Sequence, residues 1–139
     1  PLRLVGSEMC IRDRANKMEF GRICTLSIEE HDKMIGFLSQ LTHVIAVSLM
    51  NTHDNAHLVE YTGDSFRDLT RIAKINEDLW TELFIMNKDI LLDEINQFID
   101  SISHFRDSLE QEDTQEMKRL FIQSTKRRDK FNKTDAKKR

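Results

Sequence analysis

The segment 63–73 carries the side chains best suited to binding an anion. Arg67, Asp68 and Arg71 stand at positions i, i+1 and i+4, so Asp68 and Arg71 share one face if the segment is helical. A guanidinium binds a carboxylate through two parallel hydrogen bonds. We therefore predict that Arg71 binds a substrate carboxylate and that Asp68 holds or gates it. The alternative is a solvent-exposed ion pair, which contributes little to stability.

A histidine and the single tryptophan could complete such a binding site. His43 lies in an otherwise apolar stretch, and Ser39 is one turn earlier on the same helix face. The ordinary interpretation is a buried histidine whose ring is satisfied by the Ser39 hydroxyl. The alternative is an imidazole that lines a substrate cleft, where its surroundings tune its charge near neutral pH. Trp80 follows Arg71 by nine residues and belongs either to the core or to a wall of the cleft.

Five histidines also raise the question of a metal site. His31 and His43 are twelve residues apart, which places them about 120° apart around one helix. Ligands on a single helix sit three or four residues apart, and the sequence has no HExxH motif. His53 and His57 lie in polar loop sequence. We therefore expect no metal site.

The composition favours a few long helices as the elements that position these residues. The chain has one Pro and four Gly, whereas a sheet protein of 139 residues would need many turns rich in both. Ser27 and Glu30 form a capping-box pattern, and apolar residues recur at helical spacing after it. The sequence predicts an all-α fold. A first helix is expected over about 28–53, followed by mostly loop to residue 63. A short helix capped by Asp64 or Ser65 should then run to about 74, and another capped by Asn76 to about 87. A helix over 89–110 carries a predicted apolar stripe of Leu91, Ile95, Phe98, Ile102, Phe105 and Leu109, and a last helix is capped by Asp113 or Thr114.

The two ends of the chain lack such patterns. Residues 1–14 show no helical or strand period and are interpreted as a non-native or disordered leader. Residues 133–139 are interpreted as a disordered basic tail. Residues 22–26 could form one short strand, which would need a partner strand from outside this chain.

Charge, cysteine usage and hydropathy narrow the class of protein. A net charge of −3 argues against nucleic-acid binding, and the basic stretch 126–139 lacks interleaved aromatics and any groove-reading motif. Two cysteines without a CxxC motif fit a reducing cytoplasm. No run approaches 18 apolar residues, so we expect no membrane span. The second half of the helix at 28–53 is apolar nearly all round, which predicts that it packs against a partner subunit.

Three ordered motifs resemble the C-terminal domain of the prephenate dehydrogenase family. The first is residues 30–32 followed by Ser39-Gln40-Leu41-Thr42-His43, the second is the segment 63–73, and the third is residues 79–84 with Asn87-Lys88. The likeness covers about residues 17–131. Three motifs in this order are much more specific than any one of them alone.

The resemblance implies an NAD-dependent enzyme that oxidatively decarboxylates prephenate to 4-hydroxyphenylpyruvate, on the route to tyrosine. Family members have an N-terminal Rossmann domain that binds NAD and carries the catalytic residues. A helical dimerisation domain of the 6-phosphogluconate-dehydrogenase C-terminal-like type follows it. Residues 15–27 would be the end of the NAD-binding domain, and 28–132 the substrate-binding and dimerisation domain of a cytoplasmic homodimer. The chain has no GxGxxG fingerprint and would be inactive alone.

The resemblance also implies roles for single residues. Arg71 matches the arginine that binds a substrate carboxylate, and His43 matches a histidine that lines the substrate pocket. Asp68 and Trp80 would border that pocket, partly through the partner subunit. Ser39 and His31, on the same helix as His43, are further substrate-binding candidates, and no residue of this chain is assigned to catalysis, NAD or a metal.

Two departures from the family pattern change these expectations. Many members read Ser-His-Leu-Pro-His where this chain has Gln40 in place of the first histidine and Thr42 in place of the proline. The role of that histidine does not carry over to Gln40, and losing the proline predicts a straighter helix. The alternatives are an arogenate or cyclohexadienyl dehydrogenase and a non-catalytic helical dimerisation module. A helical chorismate mutase would need several converging cations, and only Arg71 is suitably placed.

Overall fold

The computed structural model describes residues 5–20, 23–54 and 57–135, and its regular structure over these ranges is entirely helical. This confirms the all-α prediction. In chain order the helices are α1 (Val5–Lys17), α2 (Ile28–Ile35), α3 (Thr42–Asn51), α4 (Leu58–Tyr61), α5 (Asp64–Thr70), α6 (Glu77–Met86), α7 (Lys88–Glu110) and α8 (Thr114–Asp135). A π-helical stretch, Gly36–Leu41, joins α2 to α3, and a single 3-10 turn, Arg71–Ala73, follows α5.

The leader differs from the expectation, because residues 5–14 belong to α1; residues 1–4 lie outside the described part. Helix α1 ends at Lys17, and Glu19, two residues later, has a left-handed backbone (φ 57°). The Phe20 N–H donates to the Ala15 carbonyl at 3.2 Å and the Glu19 N–H to the Asn16 carbonyl at 3.1 Å. This is a Schellman cap, and its bonds join backbone groups only. An absent apolar period was therefore a poor guide to whether the leader is helical.

The strand expected at residues 22–26 is not formed over its described part, residues 23–26, and Arg22 lies outside the described residues. The structure gives residues 23–27 no regular backbone hydrogen bonding. A strand is stable only when it pairs with another strand, and the described ranges contain none.

The first long helix begins with the predicted capping box. The Ser27 Oγ accepts from the Glu30 N–H at 3.2 Å, and the Ser27 N–H donates to the Glu30 carboxylate at 2.9 Å. The helix then runs without a break from Ile28 to Asn51. Within this run the six residues Gly36–Leu41 form the π-helical stretch, hereafter the π-segment. The straighter helix expected from the loss of a proline stays a prediction. Such wide turns are rare and occur mostly at functional sites.

The π-segment is held closely against α7. A Cβ atom added to Gly36 would lie 2.9 Å from the Ile90 Cγ2 atom, nearer than side chains approach one another. Gly36 is buried, and only a residue without a side chain allows the two helices to come this close.

We expect the change Gly36→Ala to lower the free energy of unfolding by about 1–3 kcal/mol, because Ile90 is branched at Cβ and cannot turn its methyl group away freely. Urea denaturation followed by circular dichroism measures the effect. Gly63→Ser is the control, because a Cβ at Gly63 meets open space and serine suits a helix N-cap. Equal stabilities of Gly36→Ala and the unmodified chain would show that the helices are less closely packed than described.

The later helices largely follow the sequence prediction. The Asn76 side chain caps α6 by accepting from the Leu79 N–H at 2.9 Å, and Asp113 caps α8 by accepting from the Glu116 N–H at 3.0 Å. The expected cap at Asp64 or Ser65 is wrong, since Gly63 occupies the N-cap of α5. Helix α4 adds one turn to the expected loop. Residues 133–135, expected to be disordered, belong to α8, and residues 136–139 lie outside the described part.

The described residues bury few apolar side chains. Leu41, Ala46 and Leu91 form the buried apolar core, and none of the large side chains in the described ranges is fully enclosed. The chain exposes 12557 Å². A compact monomer of 16.4 kDa would expose about 7,500 Å² by surface scaling. A fold with so much exposed surface is typical of one half of an intertwined assembly.

Much of the exposed apolar surface lies on α7. The predicted stripe of this helix begins with Leu91, which is buried, but ends with Ile102 and Leu109, whose exposed fractions are 53% and 58%. Helix α2 and the π-segment also expose large side chains, among them Met34, Phe37 and Leu38. The large exposed side chains of the first long helix therefore lie mainly in its first half, whereas packing against a partner was expected of its second half.

The run Ile28–Asn51 is also long and apolar enough to cross a membrane, judged by length and composition. This finding is weak, because the core helix of a soluble protein passes the same test. In this chain the run includes Gln40, whose side chain hydrogen bonds to α6 and to the residue between α6 and α7.

One charged cluster joins α7 to α8. The Arg119 guanidinium donates to both Glu116 carboxylate oxygens at 2.5 and 2.6 Å, and the His104 Nε2 of α7 donates to Glu116 at 2.7 Å. These bonds, that of Arg119 most, lower the pKa of Glu116 from 4.5 to about 2. Since the pKa is lower in the folded chain, the stabilisation is complete above pH 4.5 and is lost as the pH falls towards 2.

We expect Glu116→Gln to lower the urea midpoint near neutral pH and to make that midpoint less sensitive to acid than it is in the unmodified chain. Urea titrations at a series of pH values between neutrality and the pKa of Glu116 measure the difference. Glu110→Gln, at an exposed position of α7 without a hydrogen bond among the described residues, is the control. Identical acid sensitivity of the Glu116→Gln and control variants would contradict the prediction.

Candidate functional site

The side chains of His43 and Trp80 lie against each other, as a shared binding site requires. His43 is in the first turn of α3 and Trp80 is in α6, and their ring centroids are 3.7 Å apart with a tilt of 30°. Phe84, one turn after Trp80, meets the tryptophan edge-on at 5.5 Å. All three are half-buried, so the cluster reaches the surface. A flat, apolar indole next to an imidazole suits a ring-shaped ligand that also carries polar groups.

The environment of His43 determines which ring nitrogen is already hydrogen-bonded within the chain. The His43 Nδ1 lies 2.8 Å from the Ser39 carbonyl oxygen. A carbonyl oxygen only accepts hydrogen bonds, so Nδ1 carries a proton and Nε2 remains free to accept one from a ligand. The partner expected from the sequence was the Ser39 hydroxyl, and the structure replaces it with the Ser39 backbone carbonyl.

The π-segment explains why the Ser39 carbonyl is available. Its wide turn disturbs the regular bonding between residues i and i+4. The Ser39 oxygen accepts from the Thr42 hydroxyl at 2.7 Å and from the Thr42 N–H, besides accepting from His43. A proline at position 42 would supply neither donor, so Thr42 suits this backbone.

Arg71 begins the 3-10 turn after α5, and both elements pack against α3, which carries His43. Phe66, Thr70, Ile72 and Ala73 are half-buried, whereas Leu69 is exposed. Arg71 and Asp68 are both exposed. The expected pairing of Asp68 with Arg71 is not observed, because neither side chain makes a hydrogen bond or ion pair with another residue in the described ranges. The Arg71 guanidinium is therefore able to donate hydrogen bonds to an external anion.

His31 is not part of this cluster. Its Nδ1 lies 3.1 Å from the Asp32 carboxylate, and its side chain borders a cavity of about 420 Å³ with residues of α1 and of the stretch 23–28. Twelve helical residues separate it from His43, which corresponds to about 18 Å along the axis. The structure thus joins His43, Ser39 and Trp80 and keeps His31 apart from them.

The sequence did not reveal the part played by two amide side chains. Gln40 is buried, with an exposed fraction of 4%, and Asn87 lies between α6 and α7. In the sequence, Gln40 stands out only because it replaces a histidine of the family motif. The available signal was an uncharged but strongly polar residue in an apolar helical stretch, because such residues are buried only with hydrogen-bond partners.

Within the described residues we find no Rossmann-type dinucleotide fingerprint. That fingerprint consists of a strand, a glycine-rich turn and a helix N-terminus, and neither a strand nor that turn occurs in the described ranges. No group of three His, Cys, Asp or Glu side chains among the described residues could hold a metal ion. What these residues can do is bind an anion at Arg71 and a flat ring beside Trp80.

The chain is similar to known proteins of one family. The family model described as "Prephenate dehydrogenase, dimerization domain" matches residues 27–123. The chain is 35% identical to the prephenate dehydrogenase of Bacillus subtilis over 101 residues, 69% of this chain and 27% of the relative. It is 31% identical to the cyclohexadienyl dehydrogenase of Zymomonas mobilis over 114 residues, 78% of this chain and 39% of the relative.

Two solved structures resemble the fold. The prephenate dehydrogenase of A. aeolicus, in complex with hydroxyphenyl propionate and NAD+, gives a TM-score of 0.67 at 30% identity, over 74% of this chain and 38% of that one. The arogenate dehydrogenase of Synechocystis gives a TM-score of 0.78 at 19% identity, over 91% of this chain and 48% of that one, and shows the fold alone. The chain spans less than half the length of each of these relatives. It belongs to the prephenate dehydrogenase family, of which it represents the dimerization domain.

Proposed function

We propose that the chain is the C-terminal part of an NAD-dependent prephenate dehydrogenase, in which it binds the substrate and forms the interface of a homodimer. The observation that carries the proposal is the ring contact between His43 and Trp80. His43 lies on α3, and the 3-10 turn that begins with Arg71 packs against the same helix. Prephenate has a six-membered ring and carboxylates, and these are the groups that an indole face and a free guanidinium recognise.

In this proposal each side chain has one task. Arg71 binds a carboxylate of the substrate through its planar fork, and Trp80 lies against the substrate ring. The His43 Nε2 accepts a hydrogen bond from a polar group on that ring, while the Ser39 carbonyl holds the imidazole in place. Asp68, exposed near Arg71, borders the pocket and disfavours ligands with extra negative charge. Ser39 acts through its backbone, and His31 borders the neighbouring cavity.

The chemistry itself requires the N-terminal domain. NAD, bound there, accepts hydride from the ring as the carboxylate leaves as CO2, so that prephenate and NAD+ become 4-hydroxyphenylpyruvate, CO2 and NADH. The residues of this chain orient the ring and exclude water from it. Residues 15–27 would be the end of that N-terminal domain and residues 28–132 the domain described above. We place the whole enzyme in the cytoplasm, in the biosynthesis of tyrosine.

An arogenate or cyclohexadienyl dehydrogenase is the second candidate, because the chain is also 31% identical to a cyclohexadienyl dehydrogenase. Arogenate carries an amino group where prephenate carries a keto group. A single carboxylate near the side chain of the substrate would favour the amino group, and Asp68 is an exposed carboxylate three residues before Arg71.

The test is a fusion of residues 23–139 to the N-terminal domain of the Bacillus subtilis relative. With NAD+, the fusion is expected to produce NADH from prephenate and release 4-hydroxyphenylpyruvate. Turnover of arogenate alone would favour the second candidate. A folded, dimeric fusion that binds NAD+ but oxidises neither compound would contradict both and leave a non-catalytic dimerisation module.

A further inference from the structure

Gln40 and Ser108 are the two polar side chains buried within the described residues. The Gln40 Nε2 donates to the Leu83 carbonyl, in the last turn of α6, at 3.0 Å. Its Oε1 accepts from the Asn87 Nδ2 at 2.8 Å, and the same Asn87 nitrogen donates to the Asp32 carbonyl of α2 at 3.1 Å. The two amides thus connect α2 and the π-segment to the junction of α6 and α7; we call this pair the amide clamp.

The amide clamp has only one satisfactory arrangement. The carbonyl oxygens of Asp32 and Leu83 accept hydrogen bonds and cannot donate them, so an amide nitrogen must face each of them. The Gln40 Oε1 must then face Asn87. Turning either amide over would bring two oxygens or two N–H groups together at a buried site, where an unmade hydrogen bond is costly.

The amide clamp acts on the two elements that meet at the candidate site. Gln40 lies three residues before His43, within the wide turn that frees the Ser39 carbonyl for the His43 ring. Leu83 lies three residues after Trp80 on α6. A tie between Gln40 and Leu83 therefore sets the distance between the backbone that carries His43 and the backbone that carries Trp80.

We propose that Gln40 and Asn87 are positioning residues of the substrate pocket, which fix the His43 ring on the face of Trp80 by locking the π-segment to α6. The Gln40 side chain hydrogen bonds to neither ring and acts through the backbone. The pocket itself rests on the proposed function, whereas the ring contact is a feature of this chain and is tested without turnover.

Trp80 is the only tryptophan of the chain, so its near-ultraviolet circular dichroism and its fluorescence report on this contact. Gln40→Leu keeps the side chain's bulk and removes both hydrogen bonds. We expect it to lose the Trp80 dichroic bands and to expose Trp80 to acrylamide quenching, while the helical far-ultraviolet signal stays. Gln40→Glu, which places an oxygen opposite the Leu83 carbonyl, should give the same loss if the leucine variant does not fold.

Two further variants separate positioning from general stability. A neutral imidazole also offers one donor and one acceptor, so Gln40→His is expected to restore the Trp80 signals. Ser108→Ala removes the other buried polar side chain, which donates to the His104 carbonyl at 2.8 Å, and should leave the Trp80 signals unchanged. In the fusion enzyme, Gln40→Leu should lower kcat/KM for prephenate about 10- to 100-fold, as expected when a pocket group is displaced by about 1 Å.

The outcomes distinguish this inference from the proposed function. The inference is overturned if folded Gln40→Leu and Gln40→Glu keep the Trp80 signals of the unmodified chain. It is also overturned if Ser108→Ala loses these signals to the same extent as Gln40→Leu. If Gln40→Leu alters the Trp80 signals but leaves the turnover of the fusion enzyme unchanged, Gln40 does not position the substrate pocket. An unmodified fusion that turns over neither substrate contradicts the proposed function, and the Trp80 signals of the four variants still decide whether the amide clamp sets the ring contact.

Discussion

Replacement of Arg71 by alanine in the fusion enzyme is expected to raise KM for prephenate about 10- to 150-fold, with a smaller effect on kcat. The loss corresponds to one charge-assisted hydrogen-bonded contact, about 1.5–3 kcal/mol. The structure supports this expectation because the Arg71 side chain is exposed and makes no ion pair within the described residues, so its donors are free for the substrate. Steady-state kinetics with varied prephenate measures the change.

Arg67 provides a matched control for this experiment. It is an exposed arginine four residues earlier, in the same α5 segment and likewise without an ion pair in the described ranges. Arg67→Ala should leave KM close to that of the unmodified enzyme, since only local charge is lost. Arg71→Lys should behave almost as badly as alanine, because an ammonium lacks the planar fork. If Arg67→Ala and Arg71→Ala raised KM equally, Arg71 would contribute only its positive charge and would not bind the carboxylate directly.

Replacement of Ile102 by aspartate is expected to convert a dimer of this chain into monomers. Ile102 continues the apolar stripe of α7 but is 53% exposed, and Leu109, one heptad later, is 58% exposed. If the partner subunit covers this face, each aspartate would be buried without a counter-charge at a cost of about 3–5 kcal/mol. A twofold interface contains the change twice, so the dissociation constant should rise at least about 10^4-fold.

Sedimentation velocity at micromolar concentration measures this change. Asn96→Asp is the control, because it adds the same charge at an exposed polar position of the same helix, away from the apolar stripe. The control should remain dimeric. A monomeric unmodified chain, or an Ile102→Asp variant that dimerises as tightly as the control, would contradict the assignment of the α7 face to the interface.

The helices could be predicted because the interactions that begin and continue them are local. The capping box at Ser27 and Glu30, the cap at Asn76 and the apolar spacing along α7 all involve residues three or four apart. The same applies to the family, since its motifs are short and ordered along the chain. Where local patterns were weak, as in residues 1–14 and 133–139, the absence of a pattern was a poor guide to the backbone.

The candidate site was predicted only in its residue types. Sequence placed His43, Trp80 and Arg71 among the binding residues, but the His43–Trp80 contact and the lack of an Asp68–Arg71 pair depend on how the helices pack. Asp68 and Arg71 are close in sequence and were expected to pair. Both side chains are exposed, and an exposed ion pair contributes little to stability, so a spacing of three residues does not by itself hold them together.

The sequence by itself determined that this protein is helical, where its main helices begin, and which family it resembles, because each depends on neighbours within about one helical turn or on short motifs. Only the tertiary structure decided the geometry around Arg71, His43 and Trp80. The bonds that shape the π-segment join Gln40 to Leu83 and Asn87, which are 43 and 47 residues away. No local pattern contains such a contact, since it forms only when packing brings two distant helices together and buries polar groups that must then satisfy each other.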